Sequence, residues 1–300
     1  MSSLDQSSKI AFIGAGTVGG SLAVSLSRGG YHVVAVASRT FSSAEGLAGR
    51  VPGCTAYGSY QEAADVADVV FLTTSDDAIG SVCSAVDWRP GQAVVHCSGA
   101  ASLAPLEHAA AQHALPGAFH PLQAFSSVEG GIESIPGITF GIEAEGALRG
   151  YLRQMALDIG GNPVFLRPED KVLYHLSGVM MGNLLTEYAA LSAQLWDHLG
   201  MSREEGIRAL LPMMRQVAVN LDSSGVPGAV AGPYVRGDVG TIRKHLEALS
   251  ERVPELMPLY RELALAGLRY PVEKGALSPE RAAEIKFLLE GFGSAAYGDP

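Results

Sequence analysis

The hydrophobic pattern of the chain changes character a little beyond its middle. Up to that point, short apolar runs alternate with stretches of helical periodicity, beginning with a strand at Lys9–Ile13, a helix at about Thr17–Arg28 and a strand at His32–Ala37. Continuous apolar strands separated by helices are typical of a parallel sheet that helices cover on both faces. Further strands are predicted at residues 68–73, 93–97, 117–120, 138–142 and 162–166.

After residue 166 the strand-like runs cease. Residues 168–170, which read Pro-Glu-Asp, predict the start of a long helix that continues to about residue 199, since proline and acidic side chains favour a helix N-terminus. Gly200 then ends this helix. The pattern predicts an α/β Rossmann domain, a doubly wound parallel sheet over residues 1–166. It is followed by an all-helical domain over residues 167–300, which we expect to serve substrate binding and dimerisation.

A glycine-rich segment joins the first predicted strand to the first predicted helix. Its residues are Gly14, Ala15, Gly16, Thr17, Val18 and Gly19. In this context Gly14 permits a tight turn, Gly16 lets the backbone approach a pyrophosphate and Gly19 allows close helix–strand packing. The pyrophosphate would bind the free N–H groups of the helix N-terminus. The alternative interpretation is a glycine turn without a ligand.

The end of the second strand distinguishes the two nicotinamide dinucleotides. An NAD site usually carries an acid there, whereas this chain reads Ser38, Arg39 and Thr40 after the strand. The planar Arg39 guanidinium suits a 2′-phosphate, so we predict NADP(H) as the cofactor unless Arg39 is simply a solvated loop residue. Two later strands end in hydroxyl-bearing segments, which are predicted to contact the nicotinamide ribose or else to reflect ordinary turn chemistry. The candidate contacts there are Thr74, Ser75 and Ser98.

Composition and charge narrow the class of partner. Of the 300 residues, 47% are hydrophobic and 17% charged, with a formal net charge of -10, so the chain can bury a core and repels nucleic acid. The three cysteines are scattered, which favours a reducing cytoplasm over a disulfide framework. The apolar segments are too short for a signal peptide or membrane span, and the sequence has no cluster with metal-ligand spacing. We therefore expect a cytoplasmic protein with a small-molecule substrate and neither nucleic-acid nor membrane partners.

Several motifs resemble those of known oxidoreductases. The N-terminal motifs are similar to a superfamily of deazaflavin-dependent NADP reductases, pyrroline-5-carboxylate reductase and the 6-phosphogluconate and β-hydroxyacid dehydrogenases. The later motifs resemble a narrower group, Rossmann-like NADP oxidoreductases with a C-terminal helical domain of unknown function. The resemblance implies NADP(H) as cofactor, without identifying a substrate. Together with apolar helices such as residues 184–196, it also implies a homodimer. It rests on residues 14–19, 38–40, 74–79 and 96–99, and on Gly117–Gln123, Tyr174-His175, Gly232–Asp238 and His245-Leu246.

The candidate catalytic residues follow partly from position and partly from this resemblance. His120 ends a predicted strand, and Lys171 and His175 lie one turn apart on the long helix. The β-hydroxyacid dehydrogenases have a lysine and an asparagine at that spacing, but Asn183 comes two turns later here. We predict that His120 and His175 handle a proton, that Asn183 orients the substrate, and that Lys171 or Arg236 binds an anion. The alternatives are structural histidines, a solvated lysine and an asparagine that links helices.

The sequence therefore predicts an NADP(H)-dependent oxidoreductase that transfers hydride to or from a small polar metabolite, such as a carbonyl or imine acid. Two alternatives stay open. One is a non-catalytic NADP(H)-binding sensor or scaffold, and the other is an NADP reductase for a deazaflavin-type redox partner.

Overall fold

The fold is described from a computed structural model, which describes residues 4–292. The chain forms two compact units, the first ending at Leu184 and the second beginning at Leu185. The first contains every strand found in the described part of the chain, and the second is helical. The outer ends of the two predicted domains, residues 1–3 and 293–300, lie outside the described residues.

The first unit is built on one eight-stranded sheet with helices around it. In order across the sheet the strands are β3-β2-β1-β4-β5-β6-β7-β8. The strand order reverses between β1 and β4. In sheets of this kind, nucleotides bind in the crevice at the C-terminal ends of the two strands on either side of such a reversal. The strands are β1 (Lys9–Ile13), β2 (His32–Ala37), β3 (Thr55–Tyr57), β4 (Val69–Leu72), β5 (Ala93–His96), β6 (Leu115–Leu122), β7 (Thr139–Glu143) and β8 (Asn162–Phe165). The helices are α1 (Thr17–Arg28), α2 (Phe41–Ala48), α3 (Tyr60–Asp65), α4 (Asp76–Ser84), α5 (Glu107–Ala111), α6 (Val128–Ser134), α7 (Gly146–Asp158) and α8 (Lys171–Val179).

The sheet differs from the sequence prediction in two respects. The three-residue strand β3 was not predicted, because its residues are exposed or only partly buried and are too few to show a pattern. The pairing of β6 with β7 is antiparallel, while the other neighbouring strands are parallel. A buried strand is apolar whichever way it runs, so its sequence does not reveal its direction. This antiparallel register places His120 opposite Gly141.

A row of phenylalanine rings fixes the middle of the sheet. Phe12 stacks on Phe71 with ring centroids 5.1 Å apart, and Phe119 stacks on Phe140 at 4.5 Å. Phe71 meets Phe119 edge-on at 6.0 Å. All four side chains are fully buried, so the row holds β1, β4, β6 and β7 in fixed positions and gives their ends a rigid base.

The long helix predicted after residue 166 is present but interrupted. Following a 3₁₀ turn at Pro168–Asp170, α8 continues into a π-helical turn at Met180–Leu184 and then into α9. π-Helical turns are rare and are frequently found at functional sites. The first compact unit extends through this turn, past the predicted boundary at residue 166, because Lys171 at the start of α8 is buried within it.

The second unit is a group of helices around a separate core. Its helices are α9 (Leu185–Gln194), α10 (Arg203–Gly228, with non-helical residues at Gly225 and Val226), α11 (Pro233–Arg236), α12 (Val239–Arg252), α13 (Met257–Gly267), α14 (Arg269–Glu273) and α15 (Pro279–Gly291), with 3₁₀ turns at Leu195–Leu199 and Pro254–Leu256. Gly200 is left-handed and ends the predicted long helix, as expected. The core contains Ile242, Leu246, Ile285 and Leu289. None of the helices in the described part of the chain is long and apolar enough to span a membrane.

Candidate active site

The glycine turn after β1 has the geometry that a dinucleotide-binding turn requires. Gly14 has a φ of 118°, and a Cβ there would lie 2.6 Å from the Thr73 carbonyl oxygen. A Cβ on Gly19 would collide with the Gly14 carbonyl oxygen. Gly16, in contrast, has no atom within 4 Å of the position that a Cβ would occupy. The first and third glycines are therefore needed by the protein itself, whereas the second leaves open space above the backbone.

The groups around this space fit a phosphate-bearing cofactor. No side chain caps α1, whose N-cap is Gly16, so the first N–H groups of the helix remain free for an anion. The half-buried Ala15 belongs to the same turn, and the half-buried Thr17 and Val18 begin α1. Thr74 contributes a buried hydroxyl that has no hydrogen-bond partner among the described residues. Free N–H donors and an unpartnered hydroxyl are what a dinucleotide would satisfy.

The residues after β2 are open to solvent. Ser38 is half-buried, and Arg39 and Thr40 are exposed. None of the ion pairs found among the described residues uses Arg39, whose guanidinium is therefore available to a 2′-phosphate.

Hydrogen bonds connect the ends of three adjacent strands. After β4, the Thr73 hydroxyl donates to the Gly14 carbonyl oxygen at 2.7 Å. After β5, the Ser98 hydroxyl donates to an Asp76 carboxylate oxygen at 2.6 Å and accepts a hydrogen bond from the Ala101 N–H. Ser98 is buried and its hydroxyl is committed to these contacts, whereas Ser75 is exposed. These bonds tie the glycine turn to the neighbouring loops along one edge of the sheet.

His96, at the end of β5, is a structural histidine. Its Nδ1 accepts a hydrogen bond from the Ser98 N–H at 3.1 Å, and its Nε2 lies 3.0 Å from the Ser102 carbonyl oxygen. Burial lowers the pKa of His96 to about 4, and the charge of Lys171 acts in the same direction. The imidazole is therefore neutral and holds the loop after β5 in place.

Two further histidines meet beside that loop. The ring centroids of His120 and His175 are 5.8 Å apart, and a Cβ on Gly99 would lie 2.7 Å from His120 Nε2 and 2.6 Å from His175 Cδ2. Both imidazoles line a cavity of about 400 Å³, together with Leu122, Gln123, Ala124, Ser177, Gly178, Val179, Met181, Gly182 and Asn183. Burial lowers the pKa of His120 to about 4, reinforced by His175 and Lys171. A pair of imidazoles with a neutral member can donate and accept hydrogen bonds to a polar substrate.

Lys171 lies inside the protein rather than in solvent. Its Nζ is 3.0 Å from Glu143 Oε2, and the two side chains are 2% and 9% exposed. Burial lowers the pKa of Lys171, and Glu143 opposes that change. The interpretation of Lys171 as a solvated lysine is therefore wrong. Because its charge is already paired with Glu143, a role as the anion anchor would require that pair to open.

The two remaining candidates lie in different parts of the chain. Asn183 belongs to the π-helical turn and lines the cavity, and it is exposed. Arg236 ends α11 in the second unit and is exposed. Their predicted roles in substrate binding stay predictions.

Sequence reasoning missed three residues at this site. Glu143 ends an apolar strand, where a buried acid is uncommon, and that position was a usable signal. Tyr174, whose hydroxyl is 3.1 Å from His120 Nδ1, appeared only as part of the resemblance. Gly99 leaves room for both imidazoles, which no local pattern reveals.

Two segments of the chain match known protein families. Residues 9–99 match the family described as "NADP oxidoreductase coenzyme F420-dependent", and residues 138–266 match a domain of unknown function (DUF2520). The chain thus joins an NADP oxidoreductase domain to a DUF2520 domain and is an oxidoreductase of the NADP-dependent class, as the sequence motifs implied. A comparison with curated proteins finds no match.

Solved structures of similar fold match over most of the chain. The protein TM1727 from Thermotoga maritima is 25% identical, with a TM-score of 0.72, over 89% of this chain and 100% of that one. The Bacteroides fragilis protein named "putative NADP oxidoreductase BF3122" is 24% identical, with a TM-score of 0.64, over 87% and 98% of the two chains. A 1-pyrroline-5-carboxylate reductase from Streptococcus pyogenes is 14% identical, with a TM-score of 0.60, over 94% and 100%. The last two likenesses concern the fold alone.

Proposed function

We propose that this protein transfers hydride between NADP(H) and the carbonyl or imine carbon of a small polar metabolite. The observation that carries the proposal is the shared cavity of His120 and His175, which lies beside the loop after β5 on the same sheet edge as the glycine turn. When bound, the cofactor supplies the hydride chemistry. The similarity in fold to a reductase of 1-pyrroline-5-carboxylate is consistent with an imine as the acceptor.

The protein's own task is to hold the substrate and manage one proton. His175 donates that proton to the substrate nitrogen or oxygen, while the neutral His120 forms a hydrogen bond to the same atom. The amide side chains of Gln123 and Asn183 orient polar groups of the substrate within the cavity. The apolar Leu122 and Val179 limit the access of water to the reacting atoms.

Turnover with the two histidine variants tests this function. We expect the protein to oxidise NADPH with at least one member of a panel of small keto acids, keto acids with ammonia, and cyclic imino acids. His175→Ala should lower kcat by about 100-fold, the usual contribution of a positioned acid or base, with little change in NADPH binding. His120→Ala should lower kcat by roughly 10-fold, the value of one hydrogen bond to the reacting atom. His32→Ala, at an exposed position on β2, is the control and should retain full activity. Unchanged turnover in both cavity variants would reject the assignment.

Arg39 is proposed to select NADP(H) over NAD(H). Arg39→Ala should weaken NADPH binding by roughly 10- to 100-fold, the value of one or two charge-assisted hydrogen bonds, and leave NADH binding unchanged. Titration of the nicotinamide fluorescence gives both constants. Arg28→Ala, which removes an exposed arginine from the far end of α1, controls for the loss of general positive charge. Equal affinities of the wild-type protein for the two cofactors would contradict the assignment.

A second copy of the chain is proposed to cover α10. Of the 26 residues in this helix, only Gly206 is buried, and the exposed Met213, Val217 and Leu221 follow one another at four-residue spacing on one face. Such a face is typical of an interface. We expect a homodimer by light scattering at micromolar concentration and a monomer for Val217→Glu. A monomeric wild-type protein would refute this.

One alternative is favoured by a specific observation. The family matched by residues 9–99 is described as coenzyme F420-dependent, which points to a deazaflavin as the redox partner. Oxidation of NADPH by a deazaflavin, but not by any carbonyl or imine in the panel, would favour this alternative. Binding of NADPH without turnover of any acceptor would favour a sensor or scaffold.

A further inference from the structure

Tyr174 contacts the cavity histidine that the proposed function uses. Its hydroxyl oxygen is 3.1 Å from His120 Nδ1, and the two rings meet edge-on with centroids 5.5 Å apart and planes at 85°. The same hydroxyl oxygen lies 3.4 Å from the carbonyl oxygen of His120, which is a longer contact. Tyr174 is half-buried and precedes His175 on α8, so a single helical turn supplies both neighbours of His120.

The sheet leaves a space for the tyrosine ring. The antiparallel register of β6 and β7 sets Gly141 opposite His120. A Cβ on Gly141 would lie 2.7 Å from Tyr174 Cζ and 2.8 Å from its hydroxyl oxygen, so any larger residue would displace the ring. Only a glycine at this position lets the phenol reach across the strand to His120. The contact is therefore built into the fold.

The hydrogen-bond partners decide which nitrogen of His120 carries the proton. A neutral imidazole has one donor and one acceptor nitrogen, and a phenol has one proton to donate. Burial raises the pKa of Tyr174 to about 12, so the phenol keeps its proton at neutral pH. The phenol has two acceptors within reach, His120 Nδ1 at 3.1 Å and the His120 carbonyl oxygen at 3.4 Å, and we take its proton to be directed to the nearer one, His120 Nδ1. The proton of the imidazole then resides on Nε2, the atom that faces Gly99.

We propose that Tyr174 is a positioning residue that holds His120 as the neutral Nε2–H tautomer, so that His120 donates a hydrogen bond to the substrate's oxygen or nitrogen and leaves proton transfer to His175. No bond is made or broken at His120 in this arrangement. The inference rests on the proposed function for its chemical consequence, but the tautomer is a property of the protein alone.

The test is histidine NMR on the full chain labelled with ¹⁵N-histidine. The His120 resonances are assigned by their loss in His120→Gln. In the wild-type protein, Nδ1 should lack a proton and Nε2 should carry one. Tyr174→Phe removes a hydrogen bond that stabilises the neutral ring, so the pH at which His120 titrates should rise by roughly one unit. Tyr151→Phe, which removes a different buried hydroxyl in the first unit, should leave His120 unchanged.

Two results would overturn the inference. One is a proton on Nδ1 of the wild-type protein. The other is a titration midpoint that falls or stays the same in Tyr174→Phe. Should Tyr174→Phe not fold, Gly141→Ala supplies the second variant, and its displacement of the ring should shift the His120 titration in the same direction. If the predicted tautomer is observed but no acceptor is reduced, the proposed function fails while the tautomer assignment stands.

Discussion

Gly16→Val is expected to abolish cofactor binding without disturbing the fold. The Cβ position at Gly16 has no neighbour within 4 Å, and its φ of -78° is ordinary for any residue, so the protein should accept a side chain there. The same space is where the pyrophosphate must approach the N-terminus of α1. Displacement of the phosphate from those N–H groups removes one or two charge-assisted hydrogen bonds, and we expect NADPH affinity to fall by about 100-fold or more.

Fluorescence titration measures the affinity for NADPH, and thermal unfolding of the free protein measures the stability of the fold. Gly58→Val is the matched control, because Gly58 is also exposed and has nothing within 4 Å of its Cβ position. Both variants should unfold at nearly the wild-type temperature, and only Gly16→Val should lose the cofactor. Retention of wild-type NADPH affinity by Gly16→Val would show that the glycine turn is not the pyrophosphate site.

The elements that the sequence predicted well are those whose signals are local. The bounds of β1, α1 and β2 coincide with the prediction, because apolar runs, a glycine turn and a left-handed Gly30 mark every boundary within a short stretch. The dinucleotide turn belongs to this category, since its three glycines act on their own immediate surroundings. The short β3 and the direction of β7 were not accessible in the same way, because both depend on which strand lies alongside.

The candidate catalytic region depended on contacts between distant segments. His120 and His175 were named from their own positions, but the sequence did not reveal that Gly99 would lie between them. Likewise, the register of β6 and β7 brings Gly141 opposite His120 and so admits Tyr174, and each of these residues looks ordinary in its own segment. The hydrophobic periodicity of a sequence predicts each helix or strand separately. The candidate catalytic region is formed by residues from several such elements, so periodicity does not reveal it.

Lys171 illustrates the same limit and leads to the prediction with the largest effect on stability. Replacing Glu143 by glutamine leaves the buried ammonium of Lys171 without its counter-charge. Removal of one member of a buried ion pair typically costs about 3–5 kcal/mol, a large part of the stability of an ordinary domain. We expect Glu143→Gln to lower the free energy of unfolding by that amount in urea denaturation at neutral pH. Glu284→Gln, which breaks the exposed pair with Arg281, should cost no more than about 1 kcal/mol.

The pH dependence and a double variant separate loss of charge pairing from loss of packing. Without Glu143, burial holds the pKa of Lys171 below that of the unfolded chain. The unfolded state then binds more protons than the folded state, so the stability of Glu143→Gln should recover relative to wild type as the pH rises above neutrality. Lys171→Met combined with Glu143→Leu removes both charges and should restore most of the lost stability, since apolar pairs of similar volume replace buried ion pairs well. If Glu143→Gln were as stable as Glu284→Gln, the prediction would be contradicted, because the ammonium of Lys171 would then have to reach water. In that case the Lys171 charge, which contributes to the lowered pKa of His96 and of His120, would not lie inside the protein.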